Sequence, residues 1–114
     1  MALDPDADYC YLTTTGRVSG EPREIEIWFG LRGHTLYLLS GGGDRSNWVR
    51  NLRADPAVSV RVGEETARGR ARIVDDPDEA AVARPLVHGK YASDPDDMAN
   101  WRDNGLLVAI DVEA

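Results

Sequence analysis

Apolar residues in this chain come in short bursts, each cut off by glycine, proline or aspartate before it reaches helical length. Residues 9–14 are aromatic, β-branched or aliphatic. Glu24-Ile25-Glu26-Ile27 alternates strictly, and residues 57–62 alternate again with Val58, Val60 and Val62 on one side. A period of two sends successive side chains to opposite faces, so these segments are expected to be half-buried strands. Residues 35–39 and 106–112 are apolar runs and residues 66–74 a more polar one, each also expected as a strand, which brings the expected strands to six. Residues 24–29 and 35–39 flank the short turn Leu31-Arg32-Gly33-His34, and the pair is expected to form a hairpin.

Three short helices fit between the strands. Asp44 or Ser46 can cap one that runs through Trp48, Val49 and Leu52, and Asp55-Pro56 stops it. Asp76-Pro77-Asp78-Glu79 opens a second, with an N-cap acid, proline at the first position and acids at the positive dipole end. Asp94-Pro95-Asp96-Asp97 repeats that signature before Met98 and Trp101, and Asn104-Gly105 ends the third. Strands mostly in hairpin sequence with helical insertions point to an antiparallel barrel rather than a doubly wound parallel sheet. At 114 residues the chain is one domain, expected over residues 9–114, with the acidic residues 1–8 as a flexible end.

A net charge of −7 argues against general nucleic-acid or anionic-membrane binding, which call for a basic face. No run approaches the roughly 18 apolar residues that a membrane span needs, and no signal peptide opens the chain, so a cytoplasmic location is the default expectation. The single Cys10 has no disulfide partner and no second thiol with which to hold zinc. It sits in an apolar strand, where a thiol is expected to be buried and inert. His34 and His88 lack metal-pair spacing, and no metal site is expected. No serine occupies a nucleophile elbow. Without a nucleophile, a metal or a clear acid–base pair, reactivity is expected to come from an organic cofactor.

Two stretches concentrate the groups that such a cofactor needs. The first is Thr13-Thr14-Thr15-Gly16-Arg17-Val18-Ser19-Gly20-Glu21-Pro22-Arg23, a connection between two expected strands. Gly16 and Gly20 permit positive φ and close backbone approach, while Arg17 and Arg23 present planar forks that suit phosphate or carboxylate. A hairpin turn with solvated arginines is the plainer explanation. The second stretch is Ser40-Gly41-Gly42-Gly43-Asp44-Arg45-Ser46-Asn47-Trp48, a glycine triplet leading into a helix N-terminus, where free N–H groups favour an anion. It is neither a Walker loop nor a dinucleotide fingerprint. Both stretches are expected at the ends of adjacent strands. Trp28, Phe29, Trp48 and Trp101 are read mainly as core, with Trp28 and Trp48 the better candidates to border a flat ring.

The first stretch resembles the opening motif of the deazaflavin (F420)-dependent nitroreductase/quinone reductase family. Asn47-Trp48-Val49-Arg50-Asn51-Leu52-Arg53-Ala54-Asp55-Pro56 is similar to that family's second block, a tryptophan helix ending in Asn-Leu-x-Ala-x-Pro. The resemblance implies a split β-barrel of the pyridoxamine-phosphate-oxidase-like kind and coenzyme F420 as cofactor. It further implies hydride transfer to a small electron-poor acceptor, such as a quinone or activated alkene. Residue by residue it implies coenzyme contacts at Arg17, Ser19, Gly20, Arg23, Ser40, Gly42 and Gly43, with Arg45 and Trp48 beside them. Ser40 and the backbone of Gly41 and Gly42 would lie near the acceptor, and Tyr91 is the tyrosine that matches near the substrate pocket. Val18 and Gly41 stand where relatives commonly carry lysine, and the stretch from Ser40 to Trp48 is about two residues shorter. FMN in the same groove is the alternative cofactor. A cofactorless barrel for a lipid or haem-like ligand is the alternative outside redox chemistry. A homodimer is expected, joined through apolar strand residues left uncovered by so small a barrel.

Overall fold

A computed structural model describes residues 3, 7, 9–40, 46–90 and 106–113, with the backbone alone for 88–90. Its strands are β1 (Cys10–Thr15), β2 (Pro22–Ile27), β3 (Gly30–Arg32), β4 (Thr35–Ser40), β5 (Ala57–Val62), β6 (Glu65–Ile73) and β7 (Leu106–Val112). Two helices lie between them, α1 (Asn47–Ala54) and α2 (Pro77–Lys90). The strands form one sheet in the order β2-β1-β5-β6-β7-β4-β3, antiparallel throughout.

The hairpin expected between residues 24–29 and 35–39 does not form. β2 pairs with β1 along its whole length, from Cys10↔Ile27 to Thr15↔Pro22, and stands at one edge of the sheet. The short β3 is what pairs with β4, at the opposite edge. The reason lies at Trp28-Phe29, where the chain leaves the ladder and Phe29 drives wholly into the core. Only three residue steps separate Ile27 from Gly30, a reach of about 10 Å at full extension. Residues at the two outermost strands can be that close only if the sheet curls until its edges converge. The split β-barrel follows from this one crossing. Glycine lets α2 pack closely at the crossing's far end, because a Cβ on Gly30 would stand 3.1 Å from Leu86 Cγ and 3.2 Å from the backbone N of Val87.

The core fills the concave side. Cys10 and Leu12 of β1, Val58, Val60 and Val62 of β5, Leu36 and Leu38 of β4 and Val108 and Ile110 of β7 form one cluster with Phe29 and Leu52. Tyr37, Leu39, Leu107 and Ala109 point the other way, beneath Ala83 and Val87 of α2. β4 and β7 are thus covered on both faces, which explains why they read as unbroken apolar runs while β1 and β5 alternate. Among the described residues most of the apolar strand surface packs inside the subunit, with Ile25, Ile27, Leu31, Ile73 and Val112 partly buried. Among the described residues the exposed large hydrophobics are Tyr9, Val18 and Val82 alone.

Asp76 caps α2 as its residue type requires, accepting the N–H of Asp78 at 3.0 Å ahead of Pro77. Across the sheet α2 is fastened by Arg72. Its guanidinium donates to both carboxylate oxygens of Glu79 (2.6 and 2.7 Å) and to Asp111 Oδ2 (2.7 Å), while the Tyr37 hydroxyl donates to Glu79 Oε2 at 2.7 Å. The third expected helix, with Met98 and Trp101, falls outside the described residues. So does most of the expected flexible end, although its described members Leu3 and Ala7 pack against the core. No helix among the described residues is long and apolar enough to cross a membrane.

Candidate functional site

The β1–β2 connection is a tight loop closed on itself. The Gly16 N–H donates to Glu21 O and the Gly20 N–H to Gly16 O, both at 2.8 Å. Gly20 has φ +74°, a conformation open to glycine at no steric cost. Gly16 is needed for closeness instead: a Cβ there would meet Ser19 Oγ at 2.8 Å and Glu21 O at 3.1 Å. Ser19 Oγ in turn accepts the Glu21 N–H (3.2 Å) and Arg23 Nη2 (3.4 Å), so the serine shapes the loop and steadies the second arginine. Arg23 also lies 3.8 Å from Glu21, but both side chains are solvated and such a pair holds little energy.

Arg17 is held quite differently. Asn51 Oδ1 accepts its backbone N–H at 3.2 Å and its Nη1 at 2.8 Å, and Asn47 Oδ1 accepts Nη2 at 3.4 Å. Asn51 is 5% exposed, and its Nδ2 donates to Thr14 Oγ1 on β1. The two asparagines are one helical turn apart on α1 and so share a face. That face is turned to β1 because Val49 and Leu52 bury themselves in the core beside it. Both hydrogen-bonding partners of the guanidinium are neutral amides. Its position is fixed and its charge is left whole.

Arg17, Arg23, Ser19, Gly16, Trp48, Asn47 and Asn51 border a groove of about 670 Å³, floored by Thr14 and Ile25 and bounded on the rim by Val18, Pro22 and Glu24. The structure therefore brings together Arg17, Ser19, Arg23 and Trp48 of the expected site. Gly20 belongs to the same loop without lining the groove, and Trp28 also stays clear of it. The arginine loop and Ser40 are not at the ends of adjacent strands, since β5, β6 and β7 stand between β1 and β4. They are joined through α1 instead. Ser40 is 2% exposed, and its hydroxyl lies 2.8 Å from that of Ser46, the residue that precedes the helix carrying Asn47 and Asn51. Ser46 occupies the N-cap position but makes no side-chain capping bond, because its hydroxyl is turned to Ser40. Gly41, Gly42, Gly43, Arg45 and Tyr91 lie outside the described residues.

Reasoning from sequence missed Asn47 and Asn51 as parts of this site. The signal was present: two amides four residues apart, one of them interrupting the Val49–Leu52 core stripe of a helix. Cys10 is fully buried, as expected. Among the described residues no group of His, Cys, Asp and Glu could hold a metal ion.

A coenzyme that ends in phosphate and carboxylates needs guanidinium groups whose charge is not already spent on acids. Arg17 meets that need, and the groove has room for a phosphodiester and its neighbours, so these residues fit such a group. An F420-H2-dependent reductase is 25% identical in sequence with a TM-score of 0.66, covering 93% of this chain and 94% of that one. A protein from Bacteroides thetaiotaomicron, provisionally named a 5-nitroimidazole antibiotic resistance protein, shares the fold with TM-score 0.72 at 20% identity, over 95% of this chain and 74% of that one. A structure described as a domain-swapped dimer shares it with TM-score 0.68 at 23% identity, over 93% and 80%. The profile of the F420H(2)-dependent quinone reductase family matches residues 3–113, and the chain thus belongs to that family, oxidoreductases whose cofactor is the deazaflavin coenzyme F420.

Proposed function

We propose that the groove between the arginine loop and α1 holds the phosphate and polyglutamate end of coenzyme F420, and that the acceptor is a quinone or another electron-poor small molecule. The observation that carries this reading is the guanidinium of Arg17, locked between two neutral amides and facing the groove. Bound coenzyme would supply a hydride. The acceptor gains that hydride and a proton from solvent, and so is reduced by two electrons.

The chain's own part is to bind and orient. Arg17 offers its remaining N–H groups to the phosphate, with its fork held by Asn51 so that little side-chain freedom is lost on binding. Arg23, steadied by Ser19, adds a second, more mobile cation for the carboxylate tail. Trp48 presents an apolar wall on the α1 side. Orientation of this kind contributes to rate by holding the reacting atoms near contact geometry. No described residue need act as a dedicated acid. The working unit in this reading is a homodimer, supported by the similar structure described as a dimer.

Titration with oxidised F420, followed by its fluorescence, tests the reading, with FMN as the competing ligand. Saturable quenching by F420, and consumption of reduced F420 on adding a soluble quinone, are the expected results. Stoichiometric FMN on the purified protein, together with no F420 binding, would overturn the reading.

A further inference from the structure

The groove is close to neutral, although the ligand proposed for it is a polyanion. Among the described residues its lining holds two cations, Arg17 and Arg23, and one acid, Glu24. A second acid, Glu21, lies 3.8 Å from Arg23. Glu24 follows Arg23 directly on the edge strand β2 and is exposed, and its carboxylate has no partner among the described residues. Glu26, two residues further and so on the same face of the strand, continues this acidic edge. Val18, on the loop between the two arginines, is 94% exposed and brings no charge. Arg50 and Arg53 of α1, and Arg68 and Arg70 of β6, lie outside the lining.

We infer that this groove recognises the coenzyme by its phosphodiester and is indifferent to the length of its glutamate tail, with Glu24 as the residue that sets the indifference. The inference rests on the coenzyme reading above and narrows it. The phosphodiester meets the one guanidinium whose partners are neutral amides, so that contact keeps its full strength. Each further glutamate adds a carboxylate. Arg23 can meet the first of them, but it already shares its charge with Glu21. Later carboxylates have Glu24 and Glu26 for neighbours, on a chain whose net charge is −7. An extended residue spans about 3.5 Å, so by the third glutamate the tail is beyond the roughly 8 Å over which Arg17 acts at physiological salt. Attraction to the loop and repulsion from the strand edge therefore offset one another, and added tail brings no added affinity.

Fluorescence titration of the full chain with oxidised F420 separated by tail length tests this, using species with no glutamate, a short run and a long run. In the native chain the dissociation constants should agree within about threefold, and their dependence on salt should be the same for every species, because the same phosphodiester contact is being screened. Glu24→Lys should make the long-tailed species bind at least about fivefold more tightly than the tail-less one, and Val18→Lys should act in the same direction. Glu24→Gln, which keeps the shape of the side chain, should show the trend at smaller amplitude. Circular dichroism of each variant monitors the fold. A native chain that prefers the long tail by about tenfold or more, with a steeper salt dependence, overturns the inference while sparing the coenzyme reading. Folded Glu24 variants that remain indifferent to tail length overturn the role of Glu24. Failure of every species to bind overturns the coenzyme reading and this inference with it.

Discussion

One oxygen of Asn51 receives two donors from Arg17, the backbone N–H at 3.2 Å and Nη1 at 2.8 Å. The side chain of a buried helix residue thereby fixes both the loop and the cation that the loop presents. An aspartate in place of Asn51 would hold the same geometry and cancel the charge. That contrast separates positioning from electrostatics.

Asn51→Asp should keep most of the stability, since Thr14 can donate its hydroxyl to the new carboxylate in place of accepting from Nδ2. F420 affinity should fall sharply, by tenfold or more, because Arg17 then faces a carboxylate at hydrogen-bond distance. Asn51→Ala should do the reverse in part. Loss of the bonds to Arg17 and Thr14 should cost about 1–3 kcal/mol of stability, with a smaller fall in affinity, since the charge survives. Thermal melts and fluorescence titration read the two effects separately. Equal affinity losses in the two variants would show that charge neutrality at Asn51 is irrelevant.

Arg17→Ala and Arg23→Ala should each weaken F420 binding by about 1.5–3 kcal/mol, the range for hydrogen bonds to charged groups, and leave the fold intact. Arg17 should be the larger loss, being ordered by two asparagines while Arg23 is held by one serine at 3.4 Å. Affinity in the native chain should fall as salt rises, because the groove is open to solvent and its cations are screened over about 8–10 Å. Titration at two ionic strengths checks both statements.

Much of this architecture was legible in advance, and the failures have a common cause. Residue type marked β1, alternation marked β2 and β5 because those strands are covered on one face, and Asp76-Pro77 marked α2 because capping is local chemistry. The pairing of strands was not local. Glu24-Ile25-Glu26-Ile27 is equally good in a hairpin with either neighbour, and the choice was settled by Phe29, whose burial ends the strand and carries the chain across the barrel. The site was half legible for the same reason. Arg17, Arg23 and Ser19 announce themselves on one loop, whereas Asn47 and Asn51 matter only once α1 is laid against β1. A helical amide says nothing of its partner thirty residues away.

Gly69→Ala should destabilise the fold by about 1–3 kcal/mol without altering F420 affinity. A Cβ at this point of β6 would stand 2.7 Å from Ile110 Cγ2 and 2.9 Å from Asp111 O, and the backbone oxygen cannot swing aside. The position lies away from the coenzyme groove. Parallel changes in stability and affinity would show instead that β6 and the groove are coupled.

The carboxylate of Glu79 should make the protein sensitive to acid in a defined window. Hydrogen bonds from Arg72 and then Tyr37 pull its pKa from the ordinary 4.5 down to about 2. Asp111 is lowered as well, first by Arg72. The sign follows from proton binding. Between 4.5 and about 2 the unfolded chain holds a proton at Glu79 that the folded chain refuses, so stability rises with pH across that interval. The contribution is complete above 4.5 and is lost as pH falls through about 2. The full shift overstates its size, because the Arg72 and Asp111 side chains are 41% and 50% exposed and water screens them. A stabilisation on the order of 1–2 kcal/mol is expected near neutral pH. Glu79→Gln should remove it, and denaturant unfolding of the variant should change less with pH between 4.5 and 2 than that of the native chain. Identical pH profiles for the two proteins would show that this carboxylate does not link acid to unfolding.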